Sequence, residues 1–204
     1  MPKRHLTNLL ERRPELAGAV PSIQQAYTVL RLCFRSGGKV LLCGNGGSAA
    51  DADHWAGELL KGFCKTRPLS RQQRGRLRPA IAAKLQGALP AIPLTSFPAA
   101  STAFGNDVDP DLAYAQLTSA LGRRGDVLVG LSTSGNAANV CAAAEVARAK
   151  GLKVIGLTAA SGGKLKGLSD VCICAPTQET YRAQEYHLPI YHCLSLMLEE
   201  EFFG

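Results

Sequence analysis

The stretch Val127-Leu128-Val129-Gly130-Leu131-Ser132-Thr133-Ser134-Gly135-Asn136 joins a continuously apolar run to a cluster of hydroxyl side chains. An apolar run of this length is typical of a strand in a parallel sheet that helices cover on both faces. A helix is expected directly after it, over residues 137–150. Free backbone N–H groups, a helix dipole and three hydroxyls would then surround one point, which predicts an anion cradle for a phosphorylated small molecule.

The rest of the chain repeats this strand-then-helix order. Apolar runs bounded by Gly, Ser or Asp predict five strands, at residues 39–43, 91–95, 126–131, 153–158 and 170–175. Helical patterns lie mostly between them, at residues 21–35, 48–61, 111–121, 137–150 and 180–202. This alternation indicates an α/β fold with a doubly wound parallel sheet flanked by helices.

Length and composition limit the architecture. The chain has 204 residues, of which 46% are hydrophobic and 19% are charged, so we expect one domain over residues 1–204. Its additions would be an N-terminal helical region over about residues 1–36 and an insertion over about residues 63–90. No window approaches the roughly 20 apolar residues of a membrane span, and the charged N-terminus lacks a signal core, so we expect no membrane partner and a cytoplasmic location.

Cysteine and charge are both unevenly placed. The seven cysteines form no CxxC pair and lie mostly in apolar stretches, which favours reduced thiols in the core over a zinc ribbon or disulfides. The formal net charge is +7, and residues 61–84 hold eight basic residues and no acid. Three interpretations stay open for this basic stretch: a clamp for an anionic substrate, a nucleic-acid contact, or a solvated loop.

Three loops follow the carboxyl ends of predicted strands, where open parallel sheets bind ligands. They are Gly44-Asn45-Gly46-Gly47-Ser48, the segment around Thr95-Ser96, and Ser132-Thr133-Ser134-Gly135-Asn136. The first loop fits neither GxGxxG nor the P-loop, so a nucleotide cofactor is disfavoured. We expect substrate or phosphate contacts from Asn45, Gly46, Gly47, Ser48, Ser132, Thr133, Ser134 and Asn136.

Four polar side chains on two predicted helices form a second candidate group. His54 and Glu58 are four residues apart and share one helix face, and Gln184 and His192 share a face of the last helix. The four side chains suit either a divalent metal such as Zn²⁺ or direct acid and base chemistry. Paired polar residues on helices are also often interfacial or capping groups. Pro189 lies between Gln184 and His192 and predicts a kink in their helix.

Three groups of residues together resemble the SIS (sugar isomerase) domain family, and within it the phosphoheptose isomerases. They are Cys43-Gly44-Asn45-Gly46-Gly47-Ser48 with Asp51, His54 and Glu58; Ser132-Thr133-Ser134-Gly135-Asn136; and Arg182-x-Gln184-Glu185-x-His187 with His192. The resemblance implies a five-stranded sheet and a homotetramer with active sites at subunit interfaces. It also implies an aldose–ketose isomerase that converts sedoheptulose 7-phosphate to D-glycero-D-manno-heptose 7-phosphate through an enediol.

The resemblance also implies residue roles. Glu58 and His192 would be catalytic, and His54, Glu58, Gln184 and His192 would hold zinc. Ser48, Ser132, Thr133, Ser134 and Gln184 match phosphate or sugar contacts, and Asp107 matches an acid on the substrate side.

This chain departs from the family pattern at Ala137, where the family has a serine, at Tyr181, where it has an acid, and in the longer insertion. The alternative function is a non-catalytic SIS-domain protein that senses phosphosugars or binds a replication initiator. The basic insertion keeps nucleic acid open as a less favoured partner.

Overall fold

The computed structural model describes residues 3–204 as a parallel sheet wrapped by helices. The strands are β1 Val40–Gly44, β2 Ala91–Pro93, β3 Val127–Leu131, β4 Lys153–Thr158 and β5 Val171–Cys174. The main helices are α1 Lys3–Arg12, α2 Val20–Arg35, α3 Gly47–Leu60, α4 Pro98–Asp107, α5 Ala113–Leu121, α6 Ala138–Ala149, α7 Gly163–Leu168 and α8 Thr180–Phe203. Short 3₁₀ turns span Pro14–Ala19, Leu94–Ser96 and Pro110–Leu112.

The five strands pair in the order β2-β1-β3-β4-β5, and every pairing is parallel. β1 and β3 are buried along their whole length, as their continuously apolar sequences predict. Alternate residues of β1 serve two cores: Val40 and Leu42 pack with α1, α2, α3 and α8, whereas Leu41 and Cys43 pack with α5 and α6. The predicted doubly wound α/β fold with five parallel strands and an added N-terminal helix is therefore confirmed.

Several element boundaries differ from the sequence prediction. β2 ends at Pro93, because the chain turns into the 3₁₀ segment Leu94–Ser96 before the predicted end at residue 95. The N-terminal region contains two helices, α1 and α2, joined by a 3₁₀ turn; Met1 and Pro2, where the predicted region starts, lie outside the described residues. α4 and α7 were not predicted, since glycine, proline and small residues weaken their helical pattern.

The insertion over residues 63–90 folds as a loop whose two ends are held together by backbone pairing. It holds two single-turn helices, Arg71–Arg74 and Pro79–Ala82, and an antiparallel bridge between Pro68 and Gln86. Five of its basic residues are exposed, as a solvated loop predicts: Arg71, Arg74, Arg76, Arg78 and Lys84. Arg67 departs from that interpretation, because it is only 1% exposed and pairs with the equally buried Glu199.

The seven cysteines are all free, and Cys33, Cys43, Cys141 and Cys193 are buried in the cores. Cys172 and Cys174 are half-buried, and Cys64 departs most from the expected burial, since it is exposed at the start of the insertion. Within residues 3–204, no helix has both the length and the apolar character that crossing a membrane requires.

Candidate active site

Two predicted loops meet at one cavity of about 410 Å³ beyond the carboxyl ends of β1 and β3. Its lining combines backbone, hydroxyl and amide groups: Asn45, Gly46, Gly47, Ser48, Leu131, Ser132, Thr133, Ser134, Ala137, Thr180 and Gln184. A larger cavity lies at the amino ends of β4 and β5, which is the opposite edge of the sheet from where parallel folds bind ligands. We call the smaller cavity the hydroxyl pocket.

The first wall of the hydroxyl pocket is the β1–α3 turn. Gly46 adopts φ +54°, which favours glycine, and Gly47 begins α3. A Cβ added to Gly47 would lie 2.5 Å from Nε2 of Gln184, so glycine at this position leaves room for the Gln184 amide. Asn45 exchanges two side-chain hydrogen bonds with Asn139, of 2.8 and 2.9 Å, which tie the turn to the start of α6.

The second wall is the loop after β3. The Ser134 hydroxyl oxygen accepts the Asn136 backbone N–H at 3.1 Å, and the Ser132 hydroxyl oxygen accepts that of Ala137 at 3.5 Å. Each hydroxyl keeps its own hydrogen to donate to a ligand. The Asn136 side chain does not point into the pocket, because its Oδ1 accepts the Lys164 backbone N–H at 3.0 Å. The loop is thus held open by its own hydrogen bonds, as an anion cradle requires.

A cluster of titratable side chains lies farther along α3. His54 Nε2 is 3.1 Å from Glu58 Oε1, as the four-residue spacing predicts. The His192 ring on α8 lies 5.2 Å from that of His54, and ligand atoms of all three residues lie within 4.8 Å of one another. α8 is continuous through Pro189, and His192 stays within reach of Glu58. We call His54, Glu58 and His192 the acid–base cluster.

Two atoms of the acid–base cluster, Glu58 Oε2 and His192 Nε2, are buried and have no hydrogen-bond partner among residues 3–204. Unpaired buried polar atoms are costly, and a bound metal or substrate would supply the missing partner. Burial lowers the pKa of His192, and the neighbouring His54 lowers it further. The neutral imidazole is the form that donates a lone pair to a metal or accepts a proton. The donor set of two imidazoles and one carboxylate therefore fits a divalent ion such as zinc.

The predicted fourth metal ligand, the predicted substrate-side acid and the predicted third loop all lie apart from the acid–base cluster. Gln184 lies in the hydroxyl pocket, against Gly47. Asp107 is exposed at the end of α4, where it accepts a hydrogen bond from Asn106, and it does not line the hydroxyl pocket. The predicted third loop is also elsewhere: Thr95 bonds Asp53 and lines a neighbouring cavity with Asn139. The start of α8 takes the place expected for that loop.

Sequence reasoning missed the aromatic surroundings of the acid–base cluster. The Tyr191 hydroxyl contacts both Asp51 and His54, and the Phe63 ring lies 5.3 Å from that of His192. The sequence offered one indication that Tyr191 lies near the acid–base cluster, namely its position next to His192. For Phe63 the sequence offered none, because the contact depends on how the insertion folds back.

Comparisons with known proteins agree with this geometry. The SIS domain family model matches residues 5–159. The phosphoheptose isomerase of Rhodospirillum rubrum is 43% identical over 185 residues, which cover 91% of this chain and 88% of that protein. This chain belongs to the phosphoheptose isomerase family of SIS-domain proteins. The membership confirms the resemblance seen in the motifs, and it supports an aldose–ketose isomerase over a non-catalytic regulator.

Two solved structures extend the likeness to the whole fold. The phosphoheptose isomerase of Neisseria gonorrhoeae is 34% identical to this chain, with a TM-score of 0.77. The matched residues make up 97% of this chain and 96% of the chain in that structure. That of Francisella tularensis has 31% identity and a TM-score of 0.79 over the same shares. The long basic insertion therefore leaves the family architecture unchanged.

Proposed function

We propose that this protein interconverts sedoheptulose 7-phosphate and D-glycero-D-manno-heptose 7-phosphate through an enediol. Phosphoheptose isomerases about 40% identical to this chain over most of its length support this reaction. The observation that carries the proposal is that α3 joins both parts of the site. Ser48 in the hydroxyl pocket and His54 in the acid–base cluster are six residues apart, a helical rise of about 9 Å. A phosphorylated sugar can span such a distance, whereas a bare phosphate cannot.

Glu58 is the proposed general base. Its Oε1 faces His54, and its Oε2 has no partner among residues 3–204, so the carboxylate keeps bonding capacity for the proposed metal and for a substrate proton. In the proposed reaction it removes the proton from the carbon beside the carbonyl and returns it to the neighbouring carbon. His192 moves a proton between the two substrate oxygens, for which a neutral imidazole with a lowered pKa is suited.

The hydroxyl pocket is the proposed phosphate handle. Asn45, Gly46, Gly47 and Ser48 would contact the ligand from the β1–α3 turn and the start of α3, and Ser132, Thr133 and Ser134 from the loop after β3. We do not propose the predicted side-chain contact from Asn136, because its Oδ1 accepts the Lys164 backbone N–H. Fixing the phosphate at one end orients the reactive end against Glu58 and His192. Ala137 has no hydroxyl, and its backbone N–H already donates to the Ser132 hydroxyl oxygen, so we expect this chain to make one phosphate hydrogen bond fewer than the family pattern.

Zinc is the proposed metal, held by His54, Glu58 and His192. The two partnerless atoms, Glu58 Oε2 and His192 Nε2, support this assignment. Gln184 is the fourth ligand that the family resemblance implies, although its amide lies against Gly47 in this structure. When bound, a divalent ion would polarise the substrate carbonyl as a Lewis acid.

We also propose a homotetramer with active sites at subunit interfaces, as the resemblance implies. The exposure of Asp107 is compatible with its serving a neighbouring subunit. The seven free cysteines suit a reducing compartment, which supports a cytoplasmic location. We propose neither a nucleic-acid partner nor a membrane partner.

Incubation of purified, metal-quantified protein with sedoheptulose 7-phosphate, followed by NMR detection of the aldose phosphate, tests this function. We expect conversion, and a loss of turnover of about 100-fold to 10,000-fold in Glu58→Gln, since the general base is removed. Glu145→Gln is the matched control, because Glu145 is exposed on α6, away from the site. Full turnover in Glu58→Gln would refute the base assignment, and absence of conversion in the parent protein would refute the substrate.

A further inference from the structure

Two adjacent segments of the chain are completely separated by the sign of their charge. Residues 61–84 carry eight basic residues and no acid, whereas residues 85–122 carry three acids and no lysine, arginine or histidine. The three acids are Asp107, Asp109 and Asp111. Surfaces of opposite sign attract each other and surfaces of the same sign repel, so these two segments are complementary in charge.

The basic segment also exposes apolar side chains. Leu77, Ile81 and Leu85 are four residues apart around the single-turn helix Pro79–Ala82, so they lie on one side of it, and they are 37%, 37% and 49% exposed. Beside them is an open cavity of about 670 Å³, whose lining includes Arg78 and Lys84. Exposed apolar residues with a charged rim are typical of an interaction surface, which a merely solvated loop does not need. The basic face is defined as Arg76, Leu77, Arg78, Ile81, Lys84 and Leu85.

The acidic segment has a matching surface at the turn between α4 and α5. Asp107 and Asp111 are exposed there, and so are Val108, at 65%, and Leu112, at 40%. We call residues 107–112 the acidic corner. Within residues 3–204, no carboxylate of the acidic corner and no cation of the basic face belongs to an ion pair. Both surfaces therefore keep their charge for a partner.

The two surfaces lie at opposite ends of the sheet. The insertion that carries the basic face ends at residue 90, directly before the amino end of the edge strand β2. The acidic corner lies at the carboxyl end, because Pro110 lines a cavity with Tyr114, whose hydroxyl donates to the carbonyl of Gly44 at the end of β1. Two copies related antiparallel by a two-fold axis would bring each basic face to the partner's acidic corner, and the contact would form twice.

We propose that the basic face of one subunit docks on the acidic corner of a second copy of this chain. The proposal rests on the homotetramer proposed above and assigns one of its contacts. Two basic faces do not suit each other, because like charges placed opposite one another repel. Docking on the acidic corner covers the exposed leucine, isoleucine and valine side chains of both surfaces and places opposite charges around them. An apolar centre with a polar rim is the usual anatomy of a protein interface.

Charge reversal tests the proposal, with molecular mass from light scattering after size-exclusion chromatography as the measurement. The face variant carries Arg76→Glu, Arg78→Glu and Lys84→Glu, and the corner variant carries Asp107→Lys and Asp111→Lys. We expect each variant alone to form a smaller assembly than the parent, with the dissociation constant of the lost step raised about 100-fold or more. An equal mixture of the two variants should regain the parent mass, because every face then meets a corner of opposite sign.

The matched control carries Arg13→Glu, Arg123→Glu and Arg124→Glu, which reverse three exposed basic residues outside the basic face, and it should keep the parent mass. A face variant with the same mass as this control, or a mixture of folded variants that does not regain the parent mass, would overturn the docking contact and leave the homotetramer standing. A monomeric parent would overturn both. Conversion of sedoheptulose 7-phosphate by the parent is measured separately, so the proposed reaction can stand or fall independently of this contact.

Discussion

Two polar clusters bridge the same helices, α3 and α8, and they differ in how completely they are paired. In the first, both oxygens of the buried Glu199 carboxylate are saturated: Oε1 accepts from Arg67 Nε and Phe63 N, both at 2.8 Å, and Oε2 from Cys64 N and Lys65 N at 2.9 and 3.1 Å. The other two guanidinium nitrogens of Arg67 donate hydrogen bonds to the backbone carbonyls of Leu59 and Glu58, at the end of α3. We call Arg67 and Glu199 the buried ion pair.

The acid–base cluster is the opposite case, since Glu58 Oε2 and His192 Nε2 are buried with no partner. Glu58 belongs to both clusters: its backbone carbonyl accepts from Arg67 at 3.0 Å, and its side chain faces His54. A fully paired cluster has nothing left to offer a ligand and stabilises the fold, whereas a cluster with unpaired atoms keeps bonding capacity for chemistry. The comparison predicts that changes in the two clusters will affect different measurements.

Breaking the buried ion pair should have the largest effect on stability. Burial alone would raise the pKa of Glu199, but the Phe63 and Cys64 N–H groups and Arg67 lower it below its usual value, so the side chain is held as a carboxylate. Arg67→Met leaves that charge buried without its cation, which costs about 3–5 kcal/mol. Urea denaturation of the parent and the variant measures the difference.

Arg71→Met is the matched control, because Arg71 is exposed in the same insertion and should change stability by less than about 0.5 kcal/mol. The double variant Arg67→Met with Glu199→Leu should not recover the loss, since the Phe63, Cys64 and Lys65 N–H groups then lose their acceptor. A loss in Arg67→Met no larger than in Arg71→Met would contradict a stabilising role for the pair.

A second prediction concerns His187, a histidine of α8 that lies outside both clusters and whose protonation affects stability at low pH. His187 is fully buried and its Nε2 lies 3.2 Å from the Thr158 carbonyl; burial lowers the pKa of His187 to about 4. Because this folded-state pKa is below the unfolded value of about 6.5, the unfolded chain binds the proton more readily. The stability that neutral His187 contributes is present above about pH 6.5 and is lost as pH falls toward 4, by up to about 3 kcal/mol.

Denaturation of the parent protein and of His187→Gln at pH 7.5 and pH 4.5 measures this contribution. The glutamine amide can still donate to Thr158 but does not titrate, so its stability should fall less between the two pH values. Carboxylates titrate in both proteins, and the difference between the two proteins isolates His187. Parallel pH dependence in the two proteins would show that His187 is not held neutral by the fold.

The comparison also explains what the sequence could and could not predict. The five strands were predictable because each is a local apolar run, and His54 with Glu58 because helical spacing places them together. The buried ion pair could not be predicted from the sequence, because its members are 132 residues apart and Arg67 is one of several arginines in a basic run. Unpaired atoms such as Glu58 Oε2 are properties of tertiary packing, so sequence could nominate the residue but not its free oxygen.

The smallest effect tests whether the unpaired atoms bind a metal. A ligand that binds only the folded protein stabilises it by about 2.7 kcal/mol at one hundred times its dissociation constant. We therefore expect added Zn²⁺ to raise the midpoint of thermal unfolding in the parent protein and in Glu145→Gln, but much less in Glu58→Gln, which loses a carboxylate ligand. Zinc also binds cysteine thiols of the unfolded chain and so reduces the rise, but this loss is common to all three proteins because each has the same seven cysteines. An equal rise in Glu58→Gln and the parent would place the stabilising zinc outside the acid–base cluster, and its unpaired atoms would then be reserved for substrate alone.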